Sequence, residues 1–526
     1  MNFSATLANS LWIGSSLPAL VKFQRALHKP DLAQQQILQK LLAQNSDCAY
    51  ARAHGFGGIR NYEEFSQRAP LADNDHLEPW IERIRGGETS VLTNDPVTHL
   101  IPTSGSTGAR KLIPFTAGLQ REFNCAIAPW IADLARQHSG ILFGPAYWSI
   151  TPPPQISATE NSTVPIGFAD DASYLGGLQN WLVRKAMVAP SKLNRATDTE
   201  NFRYQTLLCL LRERNLRLIS VWHPSFLALL LDALPGHWEK LLTGICETQK
   251  RRARELERAN PHQPETLWPH LRVISCWGDG AAEIAMADLR ARFPTVFVQP
   301  KGLLATEAFV TIPFAGLHPV AVRSHFFEFI DEQDRIRLVH ELREDETYEV
   351  VVTTAGGLWR YRLRDRVQVN GFIGATPSLR FLGRNGNVSD LFGEKLSETF
   401  VAKSIQETLA ICGATPRFVL LAPDEDASGW RYTLYFEGAP SSDLAERLDR
   451  ALRENPLYAH CRDLEQLLPI RVFAIAAGGY EMFARRQTEQ GARIGEIKPS
   501  SLSRLSGWSE FFSGDYVQPC SAGRLA

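Results

Sequence analysis

Nine consecutive residues, Thr103-Ser104-Gly105-Ser106-Thr107-Gly108-Ala109-Arg110-Lys111, carry four hydroxyl side chains, two glycines and two cations. A backbone this small can approach a polyanion closely. Its N–H groups and hydroxyls can donate hydrogen bonds, and the cationic end balances charge. On physical grounds this is a phosphate-gripping loop. The alternative is a surface turn, because Gly and Ser also dominate turns. It is not a Walker A sequence, since the spacing G-x-x-x-x-G-K-[ST] is absent.

The neighbouring sequence predicts the elements that must position such a loop. The apolar run His99-Leu100-Ile101-Pro102 leads into it, and Thr116 caps a predicted helix reaching Gln137. Leu119, Phe123, Ile127, Ile131 and Leu134 recur near the helical period along that helix. Phe123, Ile127 and Trp130 therefore face either core or ligand. Further on, Leu216 to Val221 reads as a buried strand that runs into Trp222-His223-Pro224-Ser225, and Leu271 to Gly280 as a strand ending in a Gly turn. Val296 to Gln299 is a third, followed by Lys301-Gly302-Leu303-Leu304-Ala305-Thr306-Glu307. Strands alternating with helices imply α/β layers, whose ligand contacts gather where strands end.

From His325 the texture changes to consecutive strands, an antiparallel meander ending in Leu358-Trp359-Arg360-Tyr361-Arg362-Leu363-Arg364-Asp365. Asp365 lies among arginines, so an ion pair on an exposed strand is the plain reading. Gly383 to Asp390 is polar and turn-rich and marks a boundary before a final α+β region. Near the N-terminus, Asp31 is expected to cap a helix that buries Ile37, Leu38, Leu41 and Leu42.

The composition bounds the function. At 526 residues the chain is long enough for several domains, and 44% hydrophobic with 21% charged residues is that of a globular protein with a large core. Lys and Arg number 56 against 57 Asp and Glu, a net charge of −1, which argues against broad binding to nucleic acid or an anionic membrane. Eight scattered cysteines without a C-x-x-C pair argue against a structural zinc site and suit a reducing, cytoplasmic setting. No basic leader and no membrane-length apolar run is seen.

The loop TSGSTGARKLIPFT, the ATE of LLATEAF, the segment LWRYRLRDRV and the terminal GEIKP occur in one order along the chain. This ordered set resembles the Gretchen Hagen family of acyl acid amido synthetases, members of the adenylate-forming superfamily, and the resemblance covers nearly the whole chain. It implies a large N-terminal domain over 1–384 of α/β layers with a β-barrel-like meander. It also implies a hinge at 385–390 and a small mobile α+β domain over 391–526. The implied chemistry begins with attack of a carboxylate oxygen on the α-phosphorus of ATP, releasing pyrophosphate. An amine, such as that of an amino acid, then attacks the acyl-adenylate to give an amide and AMP. Transfer to coenzyme A or a carrier thiol is the alternative second step.

Carried onto this sequence, the resemblance places Thr103, Ser104, Gly105, Ser106 and Thr107 on the phosphates of ATP. Ala305 and Thr306 fall at the nucleotide, Glu307 on Mg²⁺, Asp365 on the ribose and Arg384 near the hinge. Lys498 matches a catalytic lysine brought in by rotation of the small domain. Phe123, Ile127, Trp130, Trp222, His223 and Phe309 would line the acyl pocket, which predicts an apolar, aromatic or cyclic acid. Three positions depart from the pattern. Leu303 stands where an aromatic residue is common, Arg364 where a glycine usually precedes the ribose aspartate, and Asp390 where the superfamily hinge often has lysine.

Overall fold

The computed structural model describes residues 3–103, 111–148, 162–167, 185–188, 199–280, 282–384, 388–489, 497 and 500–517. The chain divides into two compact units: Met1–Gly278 with Arg290–Phe381, and Asp279–Leu289 with Leu382–Ala526. Among the described residues no helix is long and apolar enough to cross a membrane.

The first unit opens with the helices Phe3–Leu27 and Pro30–Asn45. Asp31 is not the cap of the second. Pro30 occupies the first helical turn, where its missing N–H costs nothing, so the boundary moves back to Lys29 and Asp31 lies in the first turn. Leu38, Leu41 and Leu42 are buried and Ile37 is half-buried, as the spacing predicts. Strands β1 (Val97–Thr103) and β2 (Lys111–Thr116) form an antiparallel hairpin whose last register pair is Thr103 with Lys111.

A parallel sheet follows, in the order β3 (Ala146–Trp148), β4 (Leu218–Ser220), β5 (Val273–Trp277) and β6 (Phe297–Lys301). Leu218 and Val273 pack with Leu134 and Ala135 of the Ala117–Gln137 helix, so that helix covers one sheet face. The antiparallel sheet holds β7 (Phe326–Ile330), β8 (Ile336–Leu338), β9 (Thr347–Thr353), β10 (Tyr361–Ile373) and β11 (Thr376–Arg384). Its order, β11-β10-β9-β7-β8, departs from a simple meander because β7 pairs with both β8 and β9. The turn between β9 and β10 demands Gly357: its φ is +96°, and an added Cβ would fall 2.6 Å from Leu92 Cβ. Beside it Arg360, 3% exposed, forms a buried ion pair with Glu328 at 2.8 Å, and Tyr62 Oη donates to the same carboxylate at 2.7 Å.

The second unit contains the short pair β12 (Val388–Ser389) and β13 (Leu396–Ser397) and a four-stranded sheet. The latter joins β14 (Phe418–Asp426), β15 (Gly429–Glu437), β16 (Leu468–Ile475) and β17 (Gly514–Tyr516) in sequence order. Val401, Ile405, Leu434, Leu448 and Val472 belong to its core, which the Glu398–Cys412 helix closes. Glu394 is fully buried and accepts hydrogen bonds from Leu391 N, Phe392 N and Tyr432 Oη, which fixes the backbone between β12 and β13.

Candidate active site

The β1–β2 hairpin supplies the stem of the hydroxyl-rich loop, with Thr103 ending one strand and Lys111 starting the other. Ser104, Gly105, Ser106 and Thr107 lie outside the described residues, as does Lys498. The helix after the hairpin starts where the sequence predicts. Thr116 Oγ1 accepts from Leu119 N at 3.1 Å and donates to Ala355 O at 3.2 Å, so the cap also ties the helix to the β9–β10 turn. Phe123, Ile127 and Trp130 are all buried along this helix.

The ATE motif forms a tight hairpin. Val310 N donates to Leu303 O and Ala305 N to Ala308 O, each at 2.9 Å, and Leu303 N donates to Thr311 Oγ1 at 2.7 Å. Gly302 makes this approach possible, since an added Cβ would sit 2.5 Å from Thr311 O. Ala305 and Thr306 are half-buried at the turn, and Glu307 is buried with 4% exposure. Leu303 is itself buried in the hairpin base.

A three-element brace holds that hairpin. Phe309 N donates to His325 Nε2 at 3.2 Å, which leaves the ring proton on Nδ1, and Nδ1 lies 2.9 Å from Glu122 Oε2. The same carboxylate oxygen accepts from Ala355 N at 2.9 Å. Glu122 therefore joins the helix after the hydroxyl-rich loop, the ATE hairpin and the β9–β10 turn. The Phe123 ring stands 4.9 Å from that of Phe309 and 5.8 Å from that of His325. Of the residues predicted for an acyl pocket, Phe123 and Phe309 thus touch directly. Both imidazole nitrogens of His325 are engaged in structure.

Trp130 and Trp222 are brought to a common residue that the sequence reading did not single out. Lys301 Nζ lies 6.0 Å from the Trp130 ring centre and 5.3 Å from that of Trp222, and it donates to Val221 O at 2.8 Å. Lys301 ends β6 with only 5% exposure. Next to it, burial pushes the Cys276 thiol up to about 12, against the opposing pull of the Lys301 ammonium. His223 is the N-cap of the Pro224–Cys246 helix, its Nδ1 accepting from Ser225 N at 3.2 Å. Arg121 is exposed and pairs with Asp95 at 3.2 Å.

Asp365 does not share a face with its arginine neighbours. Burial alternates along β10, so Tyr361, Leu363, Asp365 and Val367 point to the buried side while Arg362, Arg364 and Arg366 point outward. Those three arginines reach Glu349, Asp73 and Glu332 respectively. A carboxylate on an apolar strand face is costly to bury and calls for a polar partner or ligand. The pairing of β10 with β9 slips between Arg362 and Arg366, and within that slip Arg364 adopts φ +64°. Arg384, at the end of β11 in the second unit, is half-buried, and Asp390 turns its carboxylate back onto Gly393 N at 2.8 Å.

Among the described residues no three or more His, Cys, Asp or Glu side chains gather into a metal site. A hard cation beside the single carboxylate of Glu307 would take its remaining oxygen ligands from phosphate and water, the usual magnesium arrangement.

Models of one family match most of the chain. The GH3 family N-terminal domain matches residues 19–298, its central domain residues 318–384 and its C-terminal domain residues 400–506. The chain is 24% identical to the probable indole-3-acetic acid-amido synthetase GH3.12 of Oryza sativa subsp. japonica, over 90% of this chain and 92% of that one. It is 22% identical to the jasmonoyl–L-amino acid synthetase GH3.5 of the same plant, over 88% and 91%. The solved structure of AtGH3.15 acyl acid amido synthetase in complex with 2,4-DB superposes with a TM-score of 0.81 at 18% identity, covering 95% of each chain, and establishes the shared fold.

Proposed function

This chain belongs to the GH3 family, and on that premise we propose that it is an ATP-dependent acyl acid amido synthetase acting in the cytoplasm. A carboxylic acid, apolar and aromatic or cyclic, displaces pyrophosphate from ATP to give an acyl-adenylate. The amino group of an amino acid then attacks the acyl carbon, losing a proton and expelling AMP. The observation that carries this reading is the ATE hairpin, which holds the buried carboxylate of Glu307 on a turn braced by Phe309, His325 and Glu122.

The first step concentrates charge on phosphoryl oxygens, so the residues serve by position and charge. Thr103, Ser104, Gly105, Ser106 and Thr107 donate to phosphate oxygens, and Ala305 and Thr306 line the nucleotide. Glu307 is the protein ligand that would hold Mg²⁺, which supplies charge neutralisation on the phosphates when bound. Asp365, on the buried face of β10, accepts from ribose hydroxyls. Arg384 and the hinge at 385–390 complete the nucleotide reading, and Lys498 donates to the developing charge. Phe123, Ile127, Trp130, Trp222, His223 and Phe309 form the acyl pocket.

The test is acid-dependent pyrophosphate release from ATP and Mg²⁺ over a panel of carboxylic acids, followed by product analysis with amino acids and with thiols. Amide products are expected. Thioester products alone would move the chain to the thiol-acylating alternative, and no acid-dependent release would refute adenylation.

A further inference from the structure

A pocket of about 220 Å³ opens in the first unit, on the side of the Ala117–Gln137 helix turned away from Phe123, Ile127 and Trp130. Gly118, Arg121, Glu122 and Cys125 recur at helical spacing along that side. Ile37, Lys40, Leu41 and Gln44 do the same along the facing Pro30–Asn45 helix. Arg323, just ahead of β7, and Ala355, in the β9–β10 turn, complete the wall. The volume exceeds the ~150 Å³ of a cavity that takes benzene.

Lys40, Arg121 and Arg323 line this pocket together with the carboxylate of Glu122. Arg121 is paired with Asp95, and Glu122 Oε2 accepts from His325 Nδ1 and Ala355 N. Lys40 and the half-buried Arg323 make no ion pair or hydrogen bond among the described residues. Their charge is felt at Cys125. That side chain opens to solvent, yet the surrounding protein disfavours a thiolate and pushes the thiol up, against the pull of Arg323, Lys40 and the nearby Lys22. Like charges gathered on a concave wall repel one another and focus a positive potential, which an anion relieves. A guanidinium presents two parallel N–H donors that match a carboxylate. Ile37, Leu41 and Ala355 beside it offer an organic body an apolar surface.

We propose that this pocket binds a small carboxylate with an apolar body. Arg323 and Lys40 hold the anionic end, and the wall of Ile37, Leu41 and Ala355 takes the body. A ligand bound there rests on Glu122 and Ala355, whose hydrogen bond ties the helix to the β9–β10 turn, so it lies against the brace that holds the ATE hairpin. Neither the site nor its test depends on the ligase reading.

Cys125 serves as the reporter. Its alkylation by iodoacetamide in the full chain is followed by peptide mass spectrometry with benzoate, phenylacetate or hexanoate added, and Cys246, also exposed, is the reference. Benzamide supplies the shape without the charge, and inorganic phosphate the charge without the body. The expected result is protection of Cys125, but not of Cys246, by at least one of these acids, half-maximal at about 1 mM or below. Benzamide and phosphate should protect at least about tenfold more weakly, and Arg323→Met should weaken protection by the acid about tenfold. Lys40→Met, at an exposed helix position, should weaken it in the same direction, and thermal unfolding identifies the variants that are folded. Failure of all the acids at about 10 mM overturns the proposal. Equal protection by benzamide or by phosphate, or protection unchanged in every variant that folds, overturns it as well.

Discussion

Glu122 Oε2 lies 2.9 Å from His325 Nδ1, although 203 residues separate the two in sequence. The contact makes one buried carboxylate the joint between the helix after the hydroxyl-rich loop and the hairpin that carries Glu307. Glu122→Ala would leave the His325 ring proton and the Ala355 N–H buried without an acceptor. The expected loss is about 2–4 kcal/mol of stability by urea unfolding. Glu122→Gln keeps an oxygen acceptor and should recover most of it. Equal stability of the alanine variant and the unaltered protein would show that the brace carries little load.

Arg364 sits at φ +64°, a backbone region costing a non-glycine residue about 1–2 kcal/mol. Glycine would relieve that strain but lose the partly exposed pair with Asp73 and add unfolded-state entropy, each worth up to about 1 kcal/mol. Arg364→Gly should therefore stay within about 1 kcal/mol of the parent, whereas Arg364→Val, whose branched Cβ suits that region poorly, should lose about 1–2 kcal/mol. Thermal unfolding of the two variants checks the order, and a valine variant as stable as the glycine one would contradict it.

The turn between β7 and β8 contributes an acid-sensitive element. Burial by itself would raise the Asp331 carboxyl, but hydrogen bonds from Arg335 and Gln333 N–H and from the Arg335 and Arg337 side chains outweigh it and hold the group at about 2. A carboxyl depressed on folding stabilises the fold above its unfolded value near pH 4, and that contribution is lost as pH falls toward about 2. Unfolding midpoints followed from pH 5 to pH 2 should decline less steeply in Asp331→Asn than in the parent. Parallel declines would remove Asp331 from the acid response.

Lys498 carries the part of the proposal that rests on the sequence resemblance. Lys498→Ala is expected to slow pyrophosphate release by about 100-fold or more while ATP affinity changes by less than about threefold. Pre-steady-state release and equilibrium nucleotide binding separate the two quantities. Normal turnover would take Lys498 out of the site.

Much of this architecture could be read from local patterns. The Thr116 cap and its apolar stripe mark the Ala117–Gln137 helix because both signals are short-range. Pro30 fixes a boundary one residue ahead of Asp31 for an equally local reason. Asp365 is less legible, since its arginine neighbours suggest a charged surface and only period-two alternation puts it on the other face. Glu122 left one trace, a charge three residues beyond Leu119 on a helix face that is otherwise apolar. Its partner His325 left none, because their contact forms only when the antiparallel sheet meets the helix. Lys301 is hidden similarly: Phe297, Gln299 and Lys301 share a strand face, but Trp130 and Trp222 arrive from distant elements.

Adenylation itself leaves an isotopic record. If a carboxylate oxygen attacks the α-phosphorus and the amine later attacks the acyl carbon, that oxygen departs with AMP. The protein is incubated with ATP, Mg²⁺, an amino acid and an accepted acid labelled with ¹⁸O in both carboxylate oxygens, and the AMP is read by mass spectrometry. The account predicts one ¹⁸O atom in each AMP formed, with label appearance suppressed about 100-fold or more in Glu307→Gln. Unlabelled AMP, or ADP with labelled inorganic phosphate in its place, would contradict it.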